Sequence, residues 1–148
     1  MDQTREVREA REATLDMLAG AYQRRDLEVF EAAVRSDMTL TLTGSSRLAG
    51  TYRGYEAFGR YLEVLRQVMR SAEKPIGFSH REDVMVFKQL MVLAGPDEAA
   101  EMPLVVTIRY HADGRIQSFF VQPQQQDAFD RIVDASGVEM QGRLLGSG

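Results

Sequence analysis

Apolar residues recur at helical spacing through the first half of the chain and at strand spacing through most of the second. Leu15, Leu18 and Tyr22, with Val7 two turns earlier, stand at intervals of three, four and seven among Arg and Glu, which predicts a helix over 4–24 with one buried face. Asp26 is placed to cap a second helix, whose Leu27, Phe30 and Val34 form a short apolar stripe ending near Ser36 and Asp37. From Met38 to Thr43 the period becomes two, with Met38, Leu40 and Leu42 opposite Thr39, Thr41 and Thr43, the pattern of a half-buried strand. Tyr55 to Met69 returns to helical spacing through Phe58, Leu62, Leu65 and Met69.

After Lys74 and Pro75, Ile76, Phe78 and His80 alternate, and 84–93, 104–111 and 116–122 are rich in β-branched and aromatic residues. Ala112-Asp113-Gly114 reads as a hairpin turn, and Gly95 to Glu98 starts another connection. A last short helix is predicted over 125–135 through Phe129 and Ile132, leaving 1–136 as one domain and 137–148 as a flexible tail. Helices first and strands later predict an α+β fold, N-terminal helices on a curved, mainly antiparallel sheet. The strand over 104–111 carries Leu104, Val106 and Ile108 on one face and Val105 with Thr107 on the other, so the face away from the helices needs a partner. Homodimerisation through that sheet face is the economical expectation.

Composition narrows the chemistry. The 148 residues, 44% hydrophobic and 27% charged, suit one soluble domain, and no apolar run approaches the roughly 20 residues of a membrane span. The charged start, with no apolar leader segment, predicts a cytoplasmic protein. With no cysteine, a disulfide framework, a thiolate nucleophile and Cys-ligated zinc or iron–sulfur clusters are excluded. A net charge of -4 argues against a nucleic-acid partner. His80 and His111 stand apart with no metal-ligand spacing, and no haem, flavin or nicotinamide motif is present, so neither a metal nor a cofactor is expected.

The segment Gly44-Ser45-Ser46-Arg47-Leu48-Ala49-Gly50-Thr51-Tyr52-Arg53-Gly54 lacks the Lys-Ser/Thr of a P-loop and the tighter glycine spacing of a dinucleotide fingerprint, so its glycines are expected to serve turns and close packing. With its flanks, from Asp26 to Leu65, it resembles the SnoaL-like polyketide cyclase branch of the NTF2-like (cystatin-like) superfamily. That resemblance implies a cone-shaped fold enclosing a pocket, a homodimer, and cofactor-free cyclisation, isomerisation, dehydration or epoxide opening of an apolar, oxygenated metabolite. The acid of ketosteroid isomerase-like members would fall at Leu42 and their oxyanion-hole tyrosine near Leu18, both apolar here. The later strands, over 88–93 and 118–122, also lack the carboxylates that limonene epoxide hydrolase-like members use.

The remaining pocket candidates are Tyr22, Tyr61, Gln89 and Gln122 as polar groups, with Leu18, Leu42 and Phe120 as apolar wall. His80, Tyr52 and Glu82 are the catalytic candidates: His80 shares a strand face with Phe78 and is suited to move a proton near neutral pH. Strict alternation puts Glu82 on the His80 side, where a carboxylate orients an imidazole, whereas a turn at Glu82-Asp83 exposes both acids. The competing expectation is a non-catalytic ligand-binding or dimerisation domain.

Overall fold

In the computed structural model, which describes residues 5–24 and 26–138 and only the backbone of 19–24 and 27, the change of period becomes a change of element type. Four helices and seven strands follow one another as α1 (Arg5–Arg24), α2 (Leu27–Ala33), β1 (Val34–Leu42), β2 (Gly50–Arg53), α3 (Gly54–Val68), β3 (Met69–Ala72), β4 (Ile76–Arg81), β5 (Val84–Ala94), β6 (Ala99–Tyr110), β7 (Ile116–Pro123) and α4 (Gln126–Ser136). All but two residues of the expected tail lie outside the described residues.

Asp26 caps α2, its carboxylate accepting the Val29 N–H at 3.4 Å. The helix stops earlier than its apolar stripe suggests. Val34 takes an extended backbone, gives its N–H to the Phe30 carbonyl, and becomes the fully buried first residue of β1. Arg35 pins that start by pairing with Asp37 at 2.9 Å and with Asp113 of the β6–β7 turn at 3.0 Å. In the same turn the Asp113 carboxyl is held down to about 2, first by the Arg115 backbone N–H it accepts and then by the Arg115 guanidinium.

The sheet runs β2-β1-β7-β6-β5-β3, with β4 beside β3 on the same side of β5. β1 and β7 are parallel and every other pair is antiparallel, so the sheet is mixed and, as expected, mainly antiparallel. Alternation is clean: Met38, Leu40, Leu42, Met85, Phe87, Leu104, Val106, Ile108, Phe119 and Val121 are buried on the inner face. Phe58 of α3 stacks on Phe119 at 5.2 Å and meets Phe30 at 5.2 Å, joining both helices to the sheet.

Two strands were not legible as such. β2 lies inside the glycine-punctuated segment and pairs with β1, Tyr52 opposite Leu40, with the Thr41 and Thr51 hydroxyls 2.9 Å apart. β3 begins at Met69, the residue expected to end α3, whose buried stripe is Phe58, Tyr61, Leu65 and Val68. In β4, Gly77 at φ +67° and a register shift between Ile76 and Ser79 turn Ile76 out to 63% exposure while Phe78 and His80 stay on the inner side.

The expected structural role of the glycine-rich loop has a concrete form. Gln126, Asp130 and Asp134, one i, i+4 stripe of α4, grip it. Asp130 accepts the Ser45 N–H at 3.0 Å, Asp134 the Arg47 N–H at 2.8 Å, and Gln126 exchanges bonds with Thr43 at 2.6 and 3.0 Å. Gly44 sits at φ +111°, where a Cβ would come 2.2 Å from Gln126 Nε2 and 2.6 Å from Asp130 Oδ1. Gly44→Ala is therefore expected to lower stability by about 2 kcal/mol through backbone strain and loss of this clamp, read as a lower urea midpoint at unchanged slope.

Candidate functional site

β4 and α1 build the site together. His80 projects inward from β4, its side chain 5% exposed, beside Phe78 at 6.3 Å between ring centroids. Its Nε2 lies 2.6 Å from Oε2 of Glu12, four residues after Arg8 on α1. A carboxylate only accepts, so Nε2 carries the proton; in the neutral ring Nδ1 is then a bare, basic nitrogen. That Nδ1 is buried and without a hydrogen-bond partner.

Glu82 is thus not the acid that orients His80. It occupies the β4–β5 turn at φ +47° and is exposed, because a two-residue connection cannot continue the alternation of β4. The Glu12 contribution was missed because the Arg and Glu of α1 read as a solvated face. Continuing the buried stripe of Leu18 and Leu15 backward by three and four residues lands on Glu12, Arg11 and Arg8, all partly buried, whereas Val7 is 40% exposed.

A second group of polar atoms accompanies this pair. The Arg11 guanidinium lies over the Tyr110 ring, 4.1 Å from its centroid. The Tyr110 hydroxyl, Arg11 Nη1 and Arg8 Nε are each buried without a hydrogen-bond partner. Burial pushes the Tyr110 phenol up to about 12 against the opposing pull of Arg11, so it is a neutral donor at ordinary pH.

Tyr52 and His80 are not brought together. Tyr52 pairs with Leu40, Leu40 with Phe119, Phe119 with Ile108, Ile108 with Met85 and Met85 with His80. The two therefore stand at opposite ends of one row, five strand spacings or about 24 Å apart along the sheet. The Tyr52 hydroxyl donates to the Leu48 carbonyl, and its ring meets Tyr61 at 5.7 Å. Burial pushes the Tyr61 phenol far above the ordinary range.

The other candidates are dispersed. Leu18 and Leu42 are buried core. Gln89 is half-buried and gives its amide to the Glu73 carbonyl at 2.9 Å. Gln122 pairs with Val105 and Phe120 with Thr107, so both face away from the buried side that Phe119 and Val121 occupy. The side chain of Tyr22 lies outside the described residues. Among the described residues no group of three or more His, Asp or Glu is placed to hold a metal ion, and no helix is long and apolar enough to cross a membrane.

No family model matches the chain, and no curated protein matches it. Solved structures do. An NTF2-like protein of unknown function from Burkholderia pseudomallei superposes with a TM-score of 0.66 at 20% identity, over 83% of this chain and 96% of that one. The fold is NTF2-like. A steroid delta-isomerase from Pseudomonas aeruginosa shares it at a TM-score of 0.59, 23% identity and 91% of each chain. TerC co-crystallised with polyporic acid shares it at 0.62 and 16% identity, over 81% of this chain and 97% of that one. NTF2-like architecture thus accounts for the one-sided burial of the sheet, while identities this low carry no activity across.

Nitrogen-15 spectra of the imidazoles are expected to show His80 protonated at Nε2 and bare at Nδ1. Glu12→Ala is expected to mix the two tautomers and to cost about 1–3 kcal/mol in denaturant titrations, the range for orphaning a buried polar group.

Proposed function

We propose that this NTF2-like protein is a SnoaL-like, cofactor-independent acid/base enzyme acting on a small, apolar, oxygenated organic molecule. The observation that carries the reading is the buried His80, held through Nε2 by Glu12, with Nδ1 left without a hydrogen-bond partner. In the proposed step Nδ1 takes a proton from carbon next to a carbonyl, the imidazolium is stabilised by Glu12, and the proton returns to a second position or to a departing oxygen. Isomerisation, cyclisation and dehydration differ only in where the enolate electrons go. Phe78 and Phe87, with ring centroids 5.6 Å apart, give the base an apolar surround. The steroid delta-isomerase sharing the fold supports proton chemistry on apolar rings, and TerC with polyporic acid supports a small-molecule site. Leu42 and Leu18, where the resemblance would put the acid and the oxyanion-hole tyrosine, are buried and apolar, and in the proposed step the base is His80 on β4 instead.

Hydrogen–deuterium exchange into 1-indanone, 2-tetralone and cyclohexenone in heavy water tests this directly. The wild-type protein is expected to accelerate exchange, His80→Ala to lose about 10²–10⁴-fold of that acceleration, and Glu12→Gln a smaller part. Wild-type exchange no faster than buffer, or a His80→Ala protein as fast as wild type, sinks the reading.

A specific observation also favours an assembly role for the opposite side of the sheet. Val84, Val86, Val105 and Thr107 are half-buried there and Phe120 is 38% exposed. We propose that this face pairs two copies of the chain, since a contiguous apolar strip on a sheet is a usual subunit surface. Light scattering at micromolar concentration is expected to give twice the chain mass, and Phe120→Glu to halve it; a wild-type monomer refutes the pairing.

A further inference from the structure

The inward face of α1 is charged where an amphipathic helix is ordinarily apolar. Of its first two turns, Glu6 and Glu9 are exposed, while Arg8, Arg11 and Glu12 are partly buried against the sheet. Glu12 is engaged by His80, so two guanidinium groups meet one carboxylate and the inward charge is one positive unit. Arg8 and Arg11 are one turn apart on the same face, with Cβ atoms about 5–6 Å from each other. Arg11 lies over the ring of Tyr110, which is 8% exposed and whose hydroxyl has no partner. Three donors, Arg8 Nε, Arg11 Nη1 and the Tyr110 hydroxyl, are thus buried and unmatched beside a base that is also buried and unmatched. Leaving such donors without acceptors is costly, more so when they carry charge.

We infer that Arg8, Arg11 and Tyr110 form a cradle for the carboxylate of a small, apolar organic acid, whose body extends toward His80. The chemistry of the donor set selects the ligand class. One surplus positive charge matches a monoanion, whereas a phosphate dianion would overfill it. Two oxygens with four lone-pair directions suit three donors. Leu15 on α1 and Phe78 on β4, both only partly buried, flank the site with apolar surface and suit an apolar body. The inference rests on the reading of the inner face as a small-molecule site, and it assigns α1 the task of orienting substrate.

Calorimetric titration of the full chain with benzoate and 2-naphthoate, against the neutral benzamide and 2-naphthamide, separates the two readings. The carboxylates are expected to bind at least tenfold more tightly than their amides. Arg11→Gln and Arg8→Gln are each expected to bring that ratio to about one. In the wild-type protein, the Arg8 and Arg11 Nε–H resonances are expected to shift on adding carboxylate and not amide, a readout that needs no variant to fold. Amides binding as well as acids would overturn the cradle and leave the small-molecule site standing. Failure of all four probes to bind would overturn both, and equal displacement of carboxylate by chloride would reduce the cradle to an adventitious ion only.

Discussion

The register that carries Tyr52, Leu40, Phe119, Ile108, Met85 and His80 into one row across the sheet is the constraint on which the site depends. Because side chains alternate with a period of two, a slip of one residue in the pairing of β7 with β6, β6 with β5 or β5 with β4 would put His80 on the opposite side from Leu40 and Phe119. The parallel pairing of β1 with β7 closes this row in the middle, and it is possible because the whole of the intervening chain is available as a crossover. Burial of Met85 and Ile108 at zero exposure then fixes the depth at which the imidazole sits. The imidazole is positioned by apolar packing that has no chemistry of its own.

Against that background the charged inner face of α1 is a local conflict with the fold. A helix that needed only to cover the sheet would carry Leu or Ile at positions 8, 11 and 12, as it does at Leu15 and Leu18. Arg and Glu there give up apolar contact and bring a desolvation penalty that one carboxylate and one aromatic ring offset incompletely. Where local choices oppose the fold, the usual reason is a site. The same helix supplies Glu12, which holds His80 of β4 through Nε2, so the proposed cradle and the partner of the proposed base share one element.

Much of the architecture was legible because burial and period coincide: Met38, Leu40 and Leu42 in β1, Leu104, Val106 and Ile108 in β6, and Phe129 and Ile132 in α4 are all buried. Asp26 was legible as a cap from its residue type alone. β2 and β3 were not, since four residues give too little alternation to stand out beside glycines or at the end of a helical stripe. His80 was legible as an inward residue, but its partner was sought two residues away in sequence and stands 68 away. Sequence proximity is a poor guide to ion pairs across elements, whereas the helical stripe extended backward from Leu18 points to Arg8, Arg11 and Glu12 through geometry.

The family-like glycine pattern and the candidate site occupy different parts of the molecule, and this separation bears on function. The pattern shapes a loop that α4 clamps through Gln126, Asp130 and Asp134, and it turns Tyr52 onto its own backbone at Leu48. Those are tasks of folding rather than of ligand recognition. The groups to which we assign ligand recognition and proton transfer sit at the other end of the sheet row, on α1 and β4, away from the loop that α4 clamps. The loop serves folding, and the chemistry we propose rests on Arg8, Arg11, Glu12, His80 and Tyr110 rather than on the glycine-punctuated segment.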